Sequence, residues 1–246
     1  MERIYHELED ARQIQQSLLP KEPPQMEGFE MAGTSIPARE VSGDFYNYLP
    51  LGHNVGVVVA DVTGKSVKAA MVAAMTSGML NTAIEVQQDL WSSPSTMLGE
   101  LNTRLKPHLV RGMYTAMSLG VLHAGDNRLV FSNSGMPYPI VKGGDEVWEL
   151  EVSGLPLGLM DGVEYDELSV DLKAGDFVLF YSDGLIEAVN EAEEMYQTER
   201  LLEVLRQSKP DLSAQEMVDL IIRDVQAFVG NVESYDDITI VVVRVI

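Results

Sequence analysis

The alternation of apolar and polar residues changes period several times along the chain, and each change predicts an element. From Met1 to Leu19, "MERIYHELEDARQIQQSLL", apolar side chains recur at Ile4, Leu8, Ala11, Ile14 and Leu18. Steps of 4, 3, 3 and 4 residues line up on one helical face and approach a coiled-coil seam. That stripe can be covered by the chain's own domain or by a second helix, and the pattern does not choose between them. Pro20 and the "KEPP" that follows end the helix, because proline has no amide donor and clashes with the preceding turn.

Beyond Gly28 the pattern becomes strand-like in "FEMAGTSI", "DFYNYLPL" and the apolar run "VGVVVADV". A helix is predicted from about Val67 to Val86, where Ala70, Met71, Ala74, Met75, Gly78 and Met79 form an apolar stripe of partly small residues suited to packing on a sheet. Those methionines read as core, not as a cofactor box. A second helix runs near Ser95 to Leu109, with Pro94 just ahead of it and Leu98, Leu101 and Leu105 on one side. Strand-like runs then succeed one another: "MYTAMSLGVLHA", "RLVFSNSG", "YPIVKG", "EVWELEV", "ELSVDL" and "DFVLFYSD", separated by short turns such as "AGDN" and "KGGDE". Helices at about Thr198–Gln207 and Ser213–Val229 precede a last strand, "DITIVVVRVI". Meander-like strands with paired helices predict the α+β class, antiparallel sheets covered by helices. With no linker-like stretch and no internal repeat after residue 28, the expected organisation is a helical lead-in over 1–20 and one domain over 21–246.

Composition narrows the partners. Seventeen Lys and Arg against 38 Asp and Glu give a formal net charge of −21, which repels nucleic acid and anionic bilayers. With no cysteine there is no disulfide, thiolate metal site or cysteine nucleophile. No long apolar run and no signal-peptide pattern is seen, so the expected compartment is the cytoplasm.

Candidate chemistry lies at the ends of the apolar strands. In "FYSDGLIEAVN" a buried-strand pattern runs straight into Asp183 and Gly184, an expensive place for a charge unless a positive partner is near. Asp61 closes "VGVVVADVTG", Asp236 and Asp237 open the last strand, and Asp44 stands in "SGDFY". Singly, each reads as a turn or helix cap. Gathered together, they would repel and need raised pKa values or cations between them. The four histidines (His6, His53, His108 and His123) have no ligand spacing. An all-oxygen site favours Mg2+ or Mn2+ over Zn2+, and two such ions about 3.5–4 Å apart suit hydrolysis of a phosphate monoester by an activated water.

These motifs, in order "QQSLLP", "SGDFY", "VVVADVTGKS", "MYTAMSLGVL", "SGLPLG", "FYSDGLIEAVN" and "DDITIVVVRV", resemble the type-2C (PPM family) metal-dependent serine/threonine protein phosphatases. They look most like the bacterial branch of sporulation and stress-response sigma-factor regulators. The resemblance implies two packed antiparallel sheets flanked by helices, an αββα sandwich, with a dinuclear Mn2+ or Mg2+ centre between the sheet ends. Carried over by motif, Asp61 bridges both ions, the Val62 carbonyl binds one of them, and Asp183 and Asp236 bind the other. Asp44 acts mostly through ordered water and Asp237 supports the ligands from behind. Arg39, five residues before Asp44, stands where some relatives bind phosphate, and Lys65 is either near the metals or simply on the surface.

The sequence departs from the branch pattern at Ser42, Asn47, Ser66 and Met136, none of which replaces a proposed carboxylate ligand. The resemblance implies a phosphoserine/phosphothreonine phosphatase acting on a regulatory protein, such as an STAS-type anti-sigma-factor antagonist. An upstream sensor domain and a homodimer through the N-terminal helix belong to the same expectation. Two other readings stay open: a weakly active or inactive phosphatase-like interaction module, and a metal-dependent phosphohydrolase of small molecules.

Overall fold

The computed structural model describes residues 2–86 and 93–246. Its elements are α1 (Glu2–Leu18), β1 (Phe29–Ile36), β2 (Phe45–Leu51), β3 (Asn54–Val62), α2 (Val67–Val86), α3 (Pro94–Leu105), β4 (Thr115–His123), β5 (Arg128–Ser134), β6 (Ile140–Gly143), β7 (Glu146–Glu149), β8 (Leu168–Asp171), β9 (Phe177–Tyr181), α4 (Asp183–Ile186), α5 (Gln197–Gln207), α6 (Ala214–Val229) and β10 (Ile238–Val245). The helices predicted by periodicity agree with these bounds within a few residues. Met1 of the predicted first helix and the side chain of Ile4 in its stripe lie outside what is described.

The strands form two antiparallel five-stranded sheets, in the orders β1-β10-β9-β6-β7 and β2-β3-β4-β5-β8. The long run of consecutive strands is therefore divided: β5 pairs with β8, while β6 and β7 cross to the other sheet beside β9. Two-fold alternation sorts each strand between layers. Val57 and Val59 of β3 face Val241 and Val243 of β10 in the core between the sheets. Val58, Ala60 and Val62 turn the other way, onto Ala69, Val72, Leu98 and Leu101 of α2 and α3. Ile240 and Val242 turn onto Met217, Ile221 and Val225 of α6. Central strands buried on both faces read as unbroken apolar runs for this reason. The result is a four-layer sandwich of helices, sheet, sheet and helices.

Candidate metal centre

Register brings the strand-end acids together. Phe45 pairs with Ala60 across β2 and β3, so one step further sets Asp44 opposite Asp61. In the other sheet Ser182, which follows β9, donates its amide to the Thr239 carbonyl of β10 at 2.9 Å, so Asp183 emerges beside Asp236 and Asp237. All of these ends lie at one edge of the sandwich, and loop contacts join the two sheets there.

Asp237 is the hub of that junction. Its Oδ1 accepts the amide of Ala38 at 2.7 Å, and its Oδ2 accepts the Ser42 hydroxyl at 2.7 Å and the Gly43 amide at 2.9 Å. The Ser42 hydroxyl oxygen in turn accepts the Asp44 amide at 2.9 Å. Ser42 thus ties the loop before β2 to the loop before β10 through its hydroxyl, a bond that glycine, the usual residue there in the resembling family, would lack. Behind it, Gln15 of α1 clamps the Ser42 peptide, donating from Nε2 to its carbonyl and accepting its amide at 2.9 Å. Gly43 is required by space, since a Cβ there would stand 2.9 Å from the Val62 carbonyl oxygen. Gly184 is tighter still, because a Cβ would overlap the Asp237 carbonyl and crowd Asp236.

The electrostatics are those of crowded acids. Burial first, then Asp61 and Asp237, push the Asp44 carboxyl well above its ordinary range, eased by the hydroxyls of Ser182 and Thr239. Burial together with Asp183 and Asp236 raises Asp61 to about 7. Asp183 is raised by burial, Glu187 and Asp236, and drawn back by the Gly184 amide and the Lys65 charge. The buried Oδ2 of Asp44 has no hydrogen-bond partner within the protein.

Lys65 brings a counter-charge to the cluster. Lys65 Nζ pairs with Asp236 Oδ2 at 2.7 Å, donates to the Tyr235 carbonyl at 2.9 Å and lies 3.9 Å above the Tyr235 ring. Sequence spacing gives no signal that separates this lysine from a surface one. Arg39 is exposed and held near the same loop, with Nη1 donating to the Lys65 carbonyl at 3.0 Å. The other departures have structural partners. The Asn47 side chain donates to Asn81 of α2 at 3.0 Å, whereas Ser66 and buried Met136 are held through their backbones, the Ser66 carbonyl accepting the Ala70 amide at 3.1 Å and the Met136 peptide groups bonding both ends of the Asn133 amide.

Among the described residues no three His, Cys, Asp or Glu side chains stand close enough to form a ready-made metal cage. The donor set nonetheless fits hard divalent ions. It consists of carboxylate oxygens, it is strained by mutual repulsion, and it includes a buried oxygen without a partner.

A double-sheet sandwich flanked by helices is the architecture of PP2C-type phosphatase domains, and comparison bears the fold out. The SiaA-PP2C domain of Pseudomonas aeruginosa superposes with a TM-score of 0.86 at 22% identity, over 99% of this chain and 96% of that one. The PP2C domain of SpoIIE from Bacillus subtilis, solved with a fragment of its regulatory domain, gives 0.76 at 24%, over 90% of this chain and 64% of that one. The chain belongs to the Stage II sporulation protein E (SpoIIE) family, whose profile matches residues 52–246. It is 26% identical to the phosphoserine phosphatase RsbU of Bacillus subtilis (strain 168), over 99% of this chain and 71% of that protein. Against stage II sporulation protein E of the same organism it is 27% identical, over 83% of this chain but 24% of the longer relative. No helix among the described residues is long and apolar enough to cross a membrane.

Proposed function

We propose that the protein is a metal-dependent phosphoserine/phosphothreonine protein phosphatase, holding two Mn2+ or Mg2+ ions with Asp61, the Val62 carbonyl, Asp183 and Asp236. The observation that carries this is the crowded set of buried Asp44 and half-buried Asp61, Asp183 and Asp236, contributed by both sheets, in which Asp44, Asp61 and Asp183 are held above the ordinary carboxylate range by burial and by their acidic neighbours. Divalent ions bound there would lower the pKa of water into the neutral range and offset charge on the phosphoryl oxygens. Asp237, saturated by three donors, fixes the loop that presents Asp44. Lys65 and Arg39, on one side of the cluster, are suited to receiving the phosphate dianion. The natural substrate in this reading is a phosphorylated regulatory protein, such as an STAS-type anti-sigma-factor antagonist.

The test is hydrolysis of a phosphoseryl protein by the folded chain with Mn2+ or Mg2+ at pH 6 to 9. Turnover that disappears with EDTA and returns with Mn2+ is the expected result, and no turnover with either ion would sink the reading.

A second reading, a phosphatase-like interaction module, is favoured by the absence of a ready-made cage among the described residues and by the Lys65–Asp236 pair. Calorimetric titration separates the two, since a module of that kind need not retain Mn2+. Regulation through α1 belongs to the same proposal. Ile14 and Leu18 of its stripe are 66% and 36% exposed, which suits a second copy of the helix or an upstream sensor covering them.

A further inference from the structure

Beside the acid cluster lies a second feature that hydrolysis of a phosphate ester does not use. Helix α6 stops at Gly230, whose φ of 66° turns the chain away, and residues 231–236 swing back to start β10. On the opposite side α4 lasts a single turn before Glu187 and Ala188. Between them is a recess of about 210 Å3 walled by Ile36, Ile222, Val225, Val229, Val232 and Ile238. Its polar lining is concentrated towards the cluster, at Glu187, Glu233, Ser234, Tyr235 and Asp236.

Size and chemistry narrow the occupant. Sites for free small molecules and cofactors usually enclose about 300–1,000 Å3 and carry convergent polar groups. This recess is smaller and mostly aliphatic, the dimensions of one or two side chains. It is also continuous with the acid cluster. Gly184 and Asp236 line it, and Glu187 in its wall is the strongest charged influence on Asp183. A phosphate ester held at Asp61 and Asp183 would have this opening beside it, within reach of the residues that flank the ester. Tyr235, 76% exposed, stands at the rim under the Lys65 ammonium. Glu187 and Glu233 make that rim acidic, which complements a cationic neighbour and repels an acidic one, while Asp236 is already paired with Lys65.

Resting on the phosphatase reading above, we propose that the recess is a substrate-reading pocket. It takes an apolar side chain from the segment flanking the phosphoserine, and its acidic rim favours an adjacent lysine or arginine. The pocket would then set which phosphoprotein is dephosphorylated, while the carboxylates set that dephosphorylation occurs.

The experiment uses the full chain with Mn2+ and alanine-based phosphoseryl peptides in which one leucine is moved through the flanking positions. Para-nitrophenyl phosphate serves as the reference ester. One leucine position should raise kcat/KM about tenfold or more over the all-alanine peptide, the scale on which an apolar pocket discriminates. An added lysine next to it should raise the value further and a glutamate lower it. Ala188→Phe, which fills the recess from its wall, should bring the leucine-to-alanine ratio near one. Gln226→Trp, on the exposed face of α6, is a second filling variant should the first not fold. Equal rates for leucine and alanine at every position, or a leucine preference that survives filling, would overturn the pocket and leave the phosphatase reading standing. Failure of the folded chain to hydrolyse even the aryl phosphate would overturn both.

Discussion

Asp61 faces acids from both sheets, and its behaviour can be tested without knowing the substrate. Its carboxyl, pushed to about 7 in the fold from an ordinary value of 3.8, binds a proton more tightly folded than unfolded. The associated stability is fully present below about pH 4 and is lost as pH rises through 7. Asp44, raised for the same reasons, acts in the same direction. In EDTA the melting temperature should therefore fall between pH 5 and 8, with each kcal/mol worth about 2–4 °C in a chain of this size. Mn2+ should reverse the fall by supplying the missing positive charge. Asp61→Asn should flatten that pH dependence and raise the melting temperature at pH 8 in EDTA, while lowering Mn2+ affinity and hydrolysis by about 100-fold or more. A variant that melts like the wild type across this range and still hydrolyses at the wild-type rate would remove Asp61 from the centre. Asp183→Asn should lose Mn2+ binding and hydrolysis in the same way. Both acids stand out in the sequence because each ends an apolar strand. Lys65 does not, since its contact with Asp236 spans 171 residues and leaves no local mark.

At the scale of elements, function rests on loops pinned by strands that are easy to read. Strands β3 and β10 announce themselves as apolar runs because one face meets the other sheet and the next meets helices. Strand partnership is less legible, since the choice of β8 over β6 beside β5 depends on residues distant in sequence. The one-turn helix α4 was also invisible, being too short for any periodicity. Gly184 is required by space and not by a left-handed φ, since a Cβ there would overlap the Asp237 carbonyl, a neighbour that leaves no local mark in the sequence. Gly184→Ala should cost about 1–3 kcal/mol or more, because the methyl meets backbone that cannot move cheaply. A drop of only a few tenths in denaturant melts would show that the Asp236–Asp237 loop is loose. The loop before β2 makes a graded prediction. Asp237→Asn replaces an acceptor facing three donors and should weaken Mn2+ binding roughly 10–100-fold, as for direct partners of metal ligands. Gln15→Ala acts one step further out, through the Ser42 peptide, and should cost less. Removing Met1–Gln16 deletes that clamp and should reproduce the Gln15→Ala loss of Mn2+ affinity. If both leave calorimetric titrations unchanged, α1 only packs against the domain.

For the whole molecule the governing quantity is a net charge of −21. A phosphoserine carries about −1.5 to −2 at pH 7, so a phosphoprotein that is itself acidic approaches against a repulsive field. Screening shortens that field from about 30 Å at 0.01 M salt to about 8 Å at 0.15 M. For an acidic phosphoprotein kcat/KM should rise as salt is added at fixed Mn2+, the opposite of steered association. A lysine-rich phosphopeptide should show the reverse, because salt removes an attraction. The competing possibility is local: Lys65 and Arg39, on two loops joined by the bond from Arg39 to the Lys65 carbonyl, focus a field strong enough to capture the phosphate despite the acidic surface. Initial rates at several salt concentrations decide between them, since a local basic trap would make the acidic substrate slow down with salt as well. Lys65→Met then becomes informative. If the global field governs encounter, it should leave the salt slope unchanged; if the local trap governs, the slope for the acidic substrate should turn positive.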